Sequence, residues 1–198
     1  SKVRRGLKRT EVKLIDAACL SEHGYETYIE ASKKYKGKNK RTLSEKEFKN
    51  SIHKYNGYDD IVHIWGIFYT NKLIGYSVNY VFDNVEAYYS SQFFHPSYLK
   101  HYSSYSLFYT MNKYYLQENG FKYVNNGFRS ISHDTEIQDY LQKKFFFKKA
   151  YTNLNIIYKP PFKFILSAMR PLKFIFGKIE PRLAALYLQD SISRKCSK

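Results

Sequence analysis

Three stretches in the middle of the chain, Ile61 to Tyr69, Leu73 to Phe82 and Val85 to Phe94, are rich in β-branched and aromatic residues set among polar ones, a pattern that predicts three extended strands. The polar breaks between them, Asn71-Lys72 and Asp83-Asn84, are too short for a crossover, so neighbouring strands are predicted antiparallel. His95-Pro96 closes this meander, because proline has no N–H to give to a continuing ladder. Upstream, Glu11 to Asp16 alternates enough for a short strand. After Gly24, the residues Tyr25, Tyr28, Ile29 and Tyr35 recur at helical spacing and predict one amphipathic helix. Lys36 to Arg41 reads as a basic loop. Ser44 and Glu47 then form a capping-box pattern ahead of the stripe Phe48, Ile52 and Tyr55, with Gly57 as the stop.

Downstream, Ser103 or Ser104 is expected to cap a helix whose inner face is Leu107, Phe108, Met111 and Tyr115, ended by Asn119-Gly120. Phe121 to Asn126 reads as a short strand. Ser132 or Asp134 is expected to cap a helix striped by Ile137, Leu141 and Phe145, and Lys149 to Tyr158 alternates as a further strand. The order from Ile61 is β-β-β-α-β-α-β, which predicts an α+β (mixed α/β) sheet with helices on its faces. Lys159-Pro160-Pro161 is expected to close a domain spanning 1–158, with a helical part at 1–57 and a sheet core at 58–158. The tail, 159–198, mixes Phe162, Ile165, Leu166, Met169, Leu172 and Ile175 with Lys163, Arg170, Lys173 and Lys178. That is a basic amphipathic helix, which either lies on a membrane surface or packs back on the domain with an interruption at Pro171. Pro181 and the run Leu183 to Leu188 suggest a last helix.

Composition narrows the class. Hydrophobic residues at 43% and charged residues at 25% are globular proportions, and 21 Tyr with 15 Phe predict an aromatic interior. No apolar run approaches the roughly 18 residues of a membrane-spanning helix. Cys19 and Cys196 lack metal or redox spacing, so no disulfide framework is expected and a reducing cytoplasm fits. Thirty-three Lys and Arg against 17 Asp and Glu leave a net charge of +16, which attracts nucleic acid, anionic lipid or a phosphate-rich cofactor, or serves solubility alone. The opening Ser1 to Arg9 concentrates cations without the apolar core of a secretion signal. It reads as a nucleic-acid arm or as the interior of a longer protein.

The six His are scattered without zinc-ligand spacing, and Walker, dinucleotide and G-x-S-x-G motifs are missing. Two clusters remain. The strand–loop–helix junction from Val85 to Phe108 offers a helix N-terminus to a phosphate, with Lys100 and His101 just ahead of Ser103 and Ser104. An ordinary capped helix leaves the same trace. The second cluster is Arg129-Ser130-Ile131-Ser132-His133-Asp134-Thr135. Here His133 suits a general base, Asp134 its orienter or a helix cap, and Arg129 a clamp for an acidic group. A backbone-satisfied histidine at a helix start stays open beside it. Glu86 and His95 are rival bases, and Tyr140 or Tyr151 could protonate a leaving group.

The order β-β-β-α-β-α-β from Ile61 to Tyr158 resembles the GNAT acyltransferase fold, with its V-shaped split sheet. The stretch Asn125-Asn126-Gly127-Phe128-Arg129-Ser130-Ile131-Ser132-His133-Asp134-Thr135, with Gln138-Asp139-Tyr140-Leu141 and Lys144-Phe145-Phe146-Phe147-Lys148-Lys149-Ala150-Tyr151, looks like a bacterial GNAT-like branch related to Fem-type (FemAB-like) transferases. The segment Ser1 to Lys8 is similar to a basic helix found mid-chain in that branch. The resemblance implies transfer of an acyl group from acetyl-CoA or another acyl-CoA to an amine or hydroxyl acceptor, by positioning, proton removal and oxyanion stabilisation. It implies catalytic roles for His133, Arg129 and Glu86, and cofactor contacts at Phe93, Phe94, Lys100, Ser103 and Ser104. Where the family usually carries Gln/Arg-x-x-Gly-x-Gly/Ala, this chain has Lys100-His101-Tyr102-Ser103-Ser104-Tyr105. Ser103 stands for a glycine and Tyr105 fills a position that is normally small. The alternatives are an aminoacyl-tRNA donor, which the charge suits, or a non-catalytic module of the same shape binding a polyanion. The expected location is cytoplasmic, with peripheral contact of the tail at the inner face of the membrane.

Overall fold

A computed structural model describes residues 1–33, 41–127, 136–151, 153, 156–169, 171 and 181–196. Contacts group the chain into two units, 1–127 and 128–198. The first unit runs α1 (Lys2–Arg9), β1 (Glu11–Ile15), α2 (Ala17–His23), α3 (Tyr25–Ser32), α4 (Glu45–His53), β2 (Val62–Tyr69), β3 (Lys72–Phe82) and β4 (Glu86–Phe94). A 3-10 helix (Pro96–His101), α5 (Ser103–Asn112), a π-helical turn (Lys113–Glu118) and β5 (Tyr123–Asn125) complete it. The five strands form one sheet in the order β1-β2-β3-β4-β5, antiparallel except for the parallel pair β4–β5.

The meander folds as its alternation predicts. Thr70 and Asn71, at φ 48° and 65°, form the β2–β3 turn, and Asp83 and Asn84, at φ 50° and 52°, lie between β3 and β4. Paired left-handed residues of this kind match the twist of the flanking strands. Lys72 is therefore the first residue of β3 and not part of the break. In β4, Val78 faces Ser91 while Asn79 faces Tyr89, so Ser90 is the extra residue of a bulge. The bulge resets which side chains point where. Tyr89 lies against Phe108 and Tyr115 on one face of the sheet, Phe94 also reaches Phe108, and Phe93 stacks on Tyr76 on the other face.

Each face has its own core. Ala17, Leu20, Phe48, Ile52, Val62, Ile64, Leu73, Tyr76 and Val78 are buried together where α2 and α4 cover the sheet. On the opposite face Leu107, Phe108, Met111 and Tyr115 are fully buried, the stripe that their spacing predicts. The capping box at the start of α4 makes both its bonds, Ser44 Oγ to the Glu47 N–H and Glu47 carboxylate to the Ser44 N–H. The single helix expected from Gly24 is instead two: α2, which periodicity misses, ends at Gly24, and α3 starts there. A Cβ at Gly24 would lie 2.6 Å from the Leu20 carbonyl oxygen, so the junction needs glycine. Tyr35 and residues 36–40 of the basic loop lie outside the described residues.

The second unit contains α6 (Ile137–Phe145), α7 (Pro160–Met169) and α8 (Pro181–Cys196). Leu141 is buried, and Phe146 ends α6 in the left-handed conformation. Pro160 and Pro161 begin α7, where a missing N–H costs nothing, instead of only closing a domain. The carboxylate of Asp190 in α8 accepts from Tyr158 Oη at 3.2 Å and Arg194 Nε at 3.0 Å. The strand expected over Lys149 to Tyr158 does not form among the described residues there. Tyr151 and Ile157 are 92% and 97% exposed. Ser132 and Asp134, the expected caps of α6, lie outside the described residues, as do Arg170, Leu172, Lys173, Ile175 and Lys178 of the tail. Among the described residues no helix is long and apolar enough to cross a membrane.

Candidate functional site

The sheet parts at one place. β4 and β5 pair over Glu86–Tyr123, Ala87–Val124 and Tyr88–Asn125, after which β5 ends and β4 continues to Phe94. The first backbone acceptor past the pairing is taken by a side chain: Asn126 Nδ2 donates to the Tyr89 carbonyl at 3.0 Å and approaches Gln92 Oε1 at 3.3 Å. Gln92 Nε2 is buried without a partner. Gly127 follows at φ 67°, and a Cβ there would lie 2.7 Å from the Tyr88 ring, so glycine lets the chain turn past that ring.

β4 runs on through the 3-10 helix into α5. His95 anchors the bend, its N–H donating to the Ile74 carbonyl at 2.9 Å while its Nδ1 accepts from the Ser97 N–H at 3.3 Å. The residue that starts α5 is Tyr102, at φ 62° and ψ 31°, and its side chain makes no capping hydrogen bond among the described residues. This corrects the expectation of a serine cap, since Ser103 is already helical. The Tyr102 carbonyl accepts from the N–H groups of Tyr105 and Ser106 at 3.0 and 3.2 Å. Ser103 is 0% exposed and its hydroxyl has no partner, whereas Ser106 Oγ donates to the Ser103 carbonyl and lies 2.7 Å from Thr10 Oγ1. From Pro96 to Asn112 the chain has no acidic residue. The positive end of α5 is thus left without a carboxylate or capping oxygen from its own segment, and an orphaned hydroxyl sits in its first turn. A helix start of this kind favours an anion such as phosphate.

The structure gathers some of the expected site residues and separates others. Lys100, Ser103 and Ser104 meet at the start of α5, with Lys100 exposed. The rings of Phe93 and Phe94 are packing elements, 5.0 Å from Tyr76 and 6.3 Å from Phe108 respectively. Glu86 lies at the other end of β4, its carboxylate accepting from the Asn125 amide. His133 and Arg129 lie outside the described residues. His95 Nε2 is 3.6 Å from Glu26 Oε1, which also takes Lys72 Nζ at 2.7 Å, so it sits beside the Glu26–Lys72 ion pair that links α3 and β3. The Lys72 bond holds the Glu26 carboxyl below its ordinary pKa. Tyr140 lies in α6, within the second unit. Among the described residues no group of three or more His, Cys, Asp or Glu is placed to hold a metal. Sequence reasoning missed Asn126 and Tyr102. The Asn126-Gly127 pair was a usable turn signal for the first, whereas nothing marks a tyrosine as a left-handed cap.

No family model matches the sequence, and no curated protein matches it. Solved structures do. An aminoglycoside acetyltransferase from an uncultured soil metagenomic sample, in complex with sisomicin, superposes with a TM-score of 0.53 at 14% identity, over 77% of this chain and 98% of that one. A ribosomal-protein-alanine N-acetyltransferase from Brucella melitensis biovar Abortus 2308 gives 0.55 at 10% identity, over 76% and 99%. An aminoglycoside N-acetyltransferase in complex with CoA gives 0.52 at 9% identity, over 76% and 93%. The fold is that of the GNAT acetyltransferases. The V-shaped opening of a GNAT sheet corresponds here to the parting of β4 from β5 after Tyr88.

Proposed function

We propose that this chain transfers an acyl group from an acyl-CoA thioester to an amine or hydroxyl acceptor. The observation that carries the reading is the start of α5, which among the described residues has no side-chain cap and no acid, with the buried Ser103 hydroxyl in its first turn, beyond the strand whose edge opens. The fold neighbours support it, one of them a complex with CoA and another with an aminoglycoside. In this reading the first turn of α5 holds the donor's phosphates through backbone N–H groups, with the Ser103 and Ser104 side chains and Lys100 beside them. The β4 edge at Phe93 and Phe94 orients the donor through its main chain, and Ala87 and Tyr89 fix that strand by burial. Acyl-CoA, when bound, would supply the acyl group as a thioester whose C–S bond breaks as the acceptor bonds to the acyl carbon, coenzyme A leaving as the thiol with one proton taken up. His133 removes the acceptor proton at an imidazole nitrogen, Arg129 anchors an anionic group, and Glu86 is a second candidate base.

The test has two parts. Acetyl-CoA is expected to raise the melting temperature of the chain, and a panel of amines is expected to reveal turnover that falls at least tenfold in His133→Ala. No thermal shift at millimolar acetyl-CoA would defeat the donor assignment. Wild-type turnover in both His133→Ala and Glu86→Gln would defeat the assignment of the base.

A second reading is supported by the net charge of +16: an aminoacyl-tRNA donor, as in Fem-type enzymes, or a polyanion bound without turnover. Affinity for tRNA that drops steeply between low and physiological salt, with no response to acetyl-CoA, distinguishes it. On α7, Phe162 and Phe164 are 59% and 75% exposed, which supports peripheral membrane contact of the tail.

A further inference from the structure

Helix α1, which precedes the first strand of the sheet, packs on the start of α5. The contact is close because Gly6 is its centre: a Cβ there would lie 2.8 Å from the Tyr102 carbonyl oxygen and 3.2 Å from Ser106 Cβ. Thr10 seals the far end through Ser106. This packing turns one set of cations toward the α5 start. Arg5 Nη1 donates to Tyr102 Oη at 3.3 Å, its guanidinium lies 5.9 Å from that ring, and Lys2 Nζ lies 5.6 Å from the Tyr105 ring. The Tyr102 phenol is held below its ordinary pKa by the Arg5 hydrogen bond and charge, with smaller contributions from Lys2 and Arg9. The pKa of His101 is lowered by burial, then by the charges of Lys100 and Arg9. Arg4 and Lys8 belong to the other side of α1, where they line a groove with Val3, Leu7 and Tyr109.

Residues 1–10 and 96–112 contain no Asp or Glu. Among the described residues, none of Lys2, Arg5, Arg9 and Lys100 is ion-paired to a carboxylate. Arg5 and Lys2 thus lie against the first residues of α5, and Arg9 and Lys100 carry further charge on the two flanking elements, beside a helix start that among the described residues has no side-chain cap and holds a buried, unpartnered hydroxyl.

We infer that Arg5 and Arg9 of α1, with Lys2 and Lys100, form a phosphate-binding site continuous with the α5 N-terminus, and that its ligand is the phosphorylated end of a nucleotide-type acyl donor. This deepens the proposed function: α1 supplies from outside the sheet the anion contacts that the chain's own Lys100 to Tyr105 loop, lacking glycines, supplies less closely. Arginine suits the role because its planar fork pairs two phosphate oxygens at once.

The test uses the full chain and titration calorimetry with four probes: CoA, pantetheine, inorganic tripolyphosphate and tRNA. The double variant Arg5→Ala/Arg9→Ala is compared with Arg4→Ala/Lys8→Ala, which removes the same charge from the other side of α1. The expected result is at least tenfold weaker binding of CoA and of tripolyphosphate in Arg5→Ala/Arg9→Ala, unchanged pantetheine binding, and less than a twofold change in Arg4→Ala/Lys8→Ala. Circular dichroism confirms that both variants keep the helical content of the parent. Equal losses in the two double variants would overturn the inference, because a diffuse field and not a site would then be acting. Unchanged CoA binding in Arg5→Ala/Arg9→Ala would overturn it while leaving the acyl-CoA reading intact. Tripolyphosphate binding that depends on Arg5 and Arg9, in a chain that ignores CoA, would sustain the anion site and defeat the acyl-CoA donor. Selective loss of tRNA binding in Arg5→Ala/Arg9→Ala, with CoA binding retained, would overturn the small-donor assignment in favour of nucleic acid.

Discussion

Nδ1 of His63 lies 3.0 Å from the phenol oxygen of Tyr115, and the surrounding donors fix which atom carries the proton. Trp65 Nε1 donates to the same oxygen at 3.1 Å and Asn79 Nδ2 at 3.4 Å. Neither can accept, so the phenol proton goes to His63, which is neutral with its own hydrogen on Nε2. Burial lowers the His63 pKa and pushes Tyr115 up to about 12. The π-helical turn presents Tyr115 to this network and so ties β2 and β3 to the chain segment that follows α5. It is the polar centre beneath β4, where Tyr89 lies 6.1 Å from the Tyr115 ring.

That arrangement makes stability depend on pH in a known direction. His63 has a lower pKa folded than unfolded, so below about pH 6.5 the unfolded chain binds more protons and stability falls with acidification. The melting temperature of wild type is expected to drop more steeply between pH 7 and pH 5 than that of His63→Gln. Parallel curves would contradict this role.

Tyr115→Phe removes the shared acceptor and leaves the Trp65 and Asn79 donors buried without it. A cost of about 1–3 kcal/mol follows, and for a chain of this size each kcal/mol is about 2–4 °C of melting temperature. A change within 1 °C by calorimetry would show that the network carries no net stability.

Gly6→Ala separates two opposed effects. In an open helix the substitution stabilises by about 1 kcal/mol. Here the added Cβ meets the Tyr102 carbonyl at 2.8 Å, and overpacking against backbone costs about 1–3 kcal/mol. Net destabilisation in urea titration is expected, and stabilisation would mean that α1 does not pack on α5.

Asn126→Ala and Gly127→Ala test the parting of the sheet. The first loses the amide bond to Tyr89, worth about 1 kcal/mol. The second forces a Cβ into the Tyr88 ring at positive φ and is expected to cost more. The reverse order, measured by thermal melts, would place the constraint in the amide and not in the turn.

The legible parts of this molecule are those where one local signal suffices. Alternation with β-branched and aromatic residues located β2 to β4 within a residue or so, and Ser44 with Glu47 located the start of α4. The same logic gave no strand among the described residues of 149–158, because alternation says that a strand could bury one face but not that one forms. It failed again at Ser103 and Ser104. Serines ahead of an apolar stripe are read as caps, but Tyr102 takes the left-handed position that tyrosine seldom adopts, and this frees the Ser103 hydroxyl. The place of α1 was equally hidden. Its five cations read as a nucleic-acid arm or as the interior of a longer protein, and a tertiary contact through one small residue, Gly6, seats it against α5.

Ser104→Asp separates the stability of α5 from the reception of the donor's phosphates at its first turn. A carboxylate in the first turn favours the helix by about 0.3–1 kcal/mol while repelling an anion at the same spot. Calorimetry on the folded variant is expected to show unchanged or higher thermal stability together with CoA binding at least tenfold weaker than wild type. CoA binding as tight as wild type in that variant would contradict phosphate reception there.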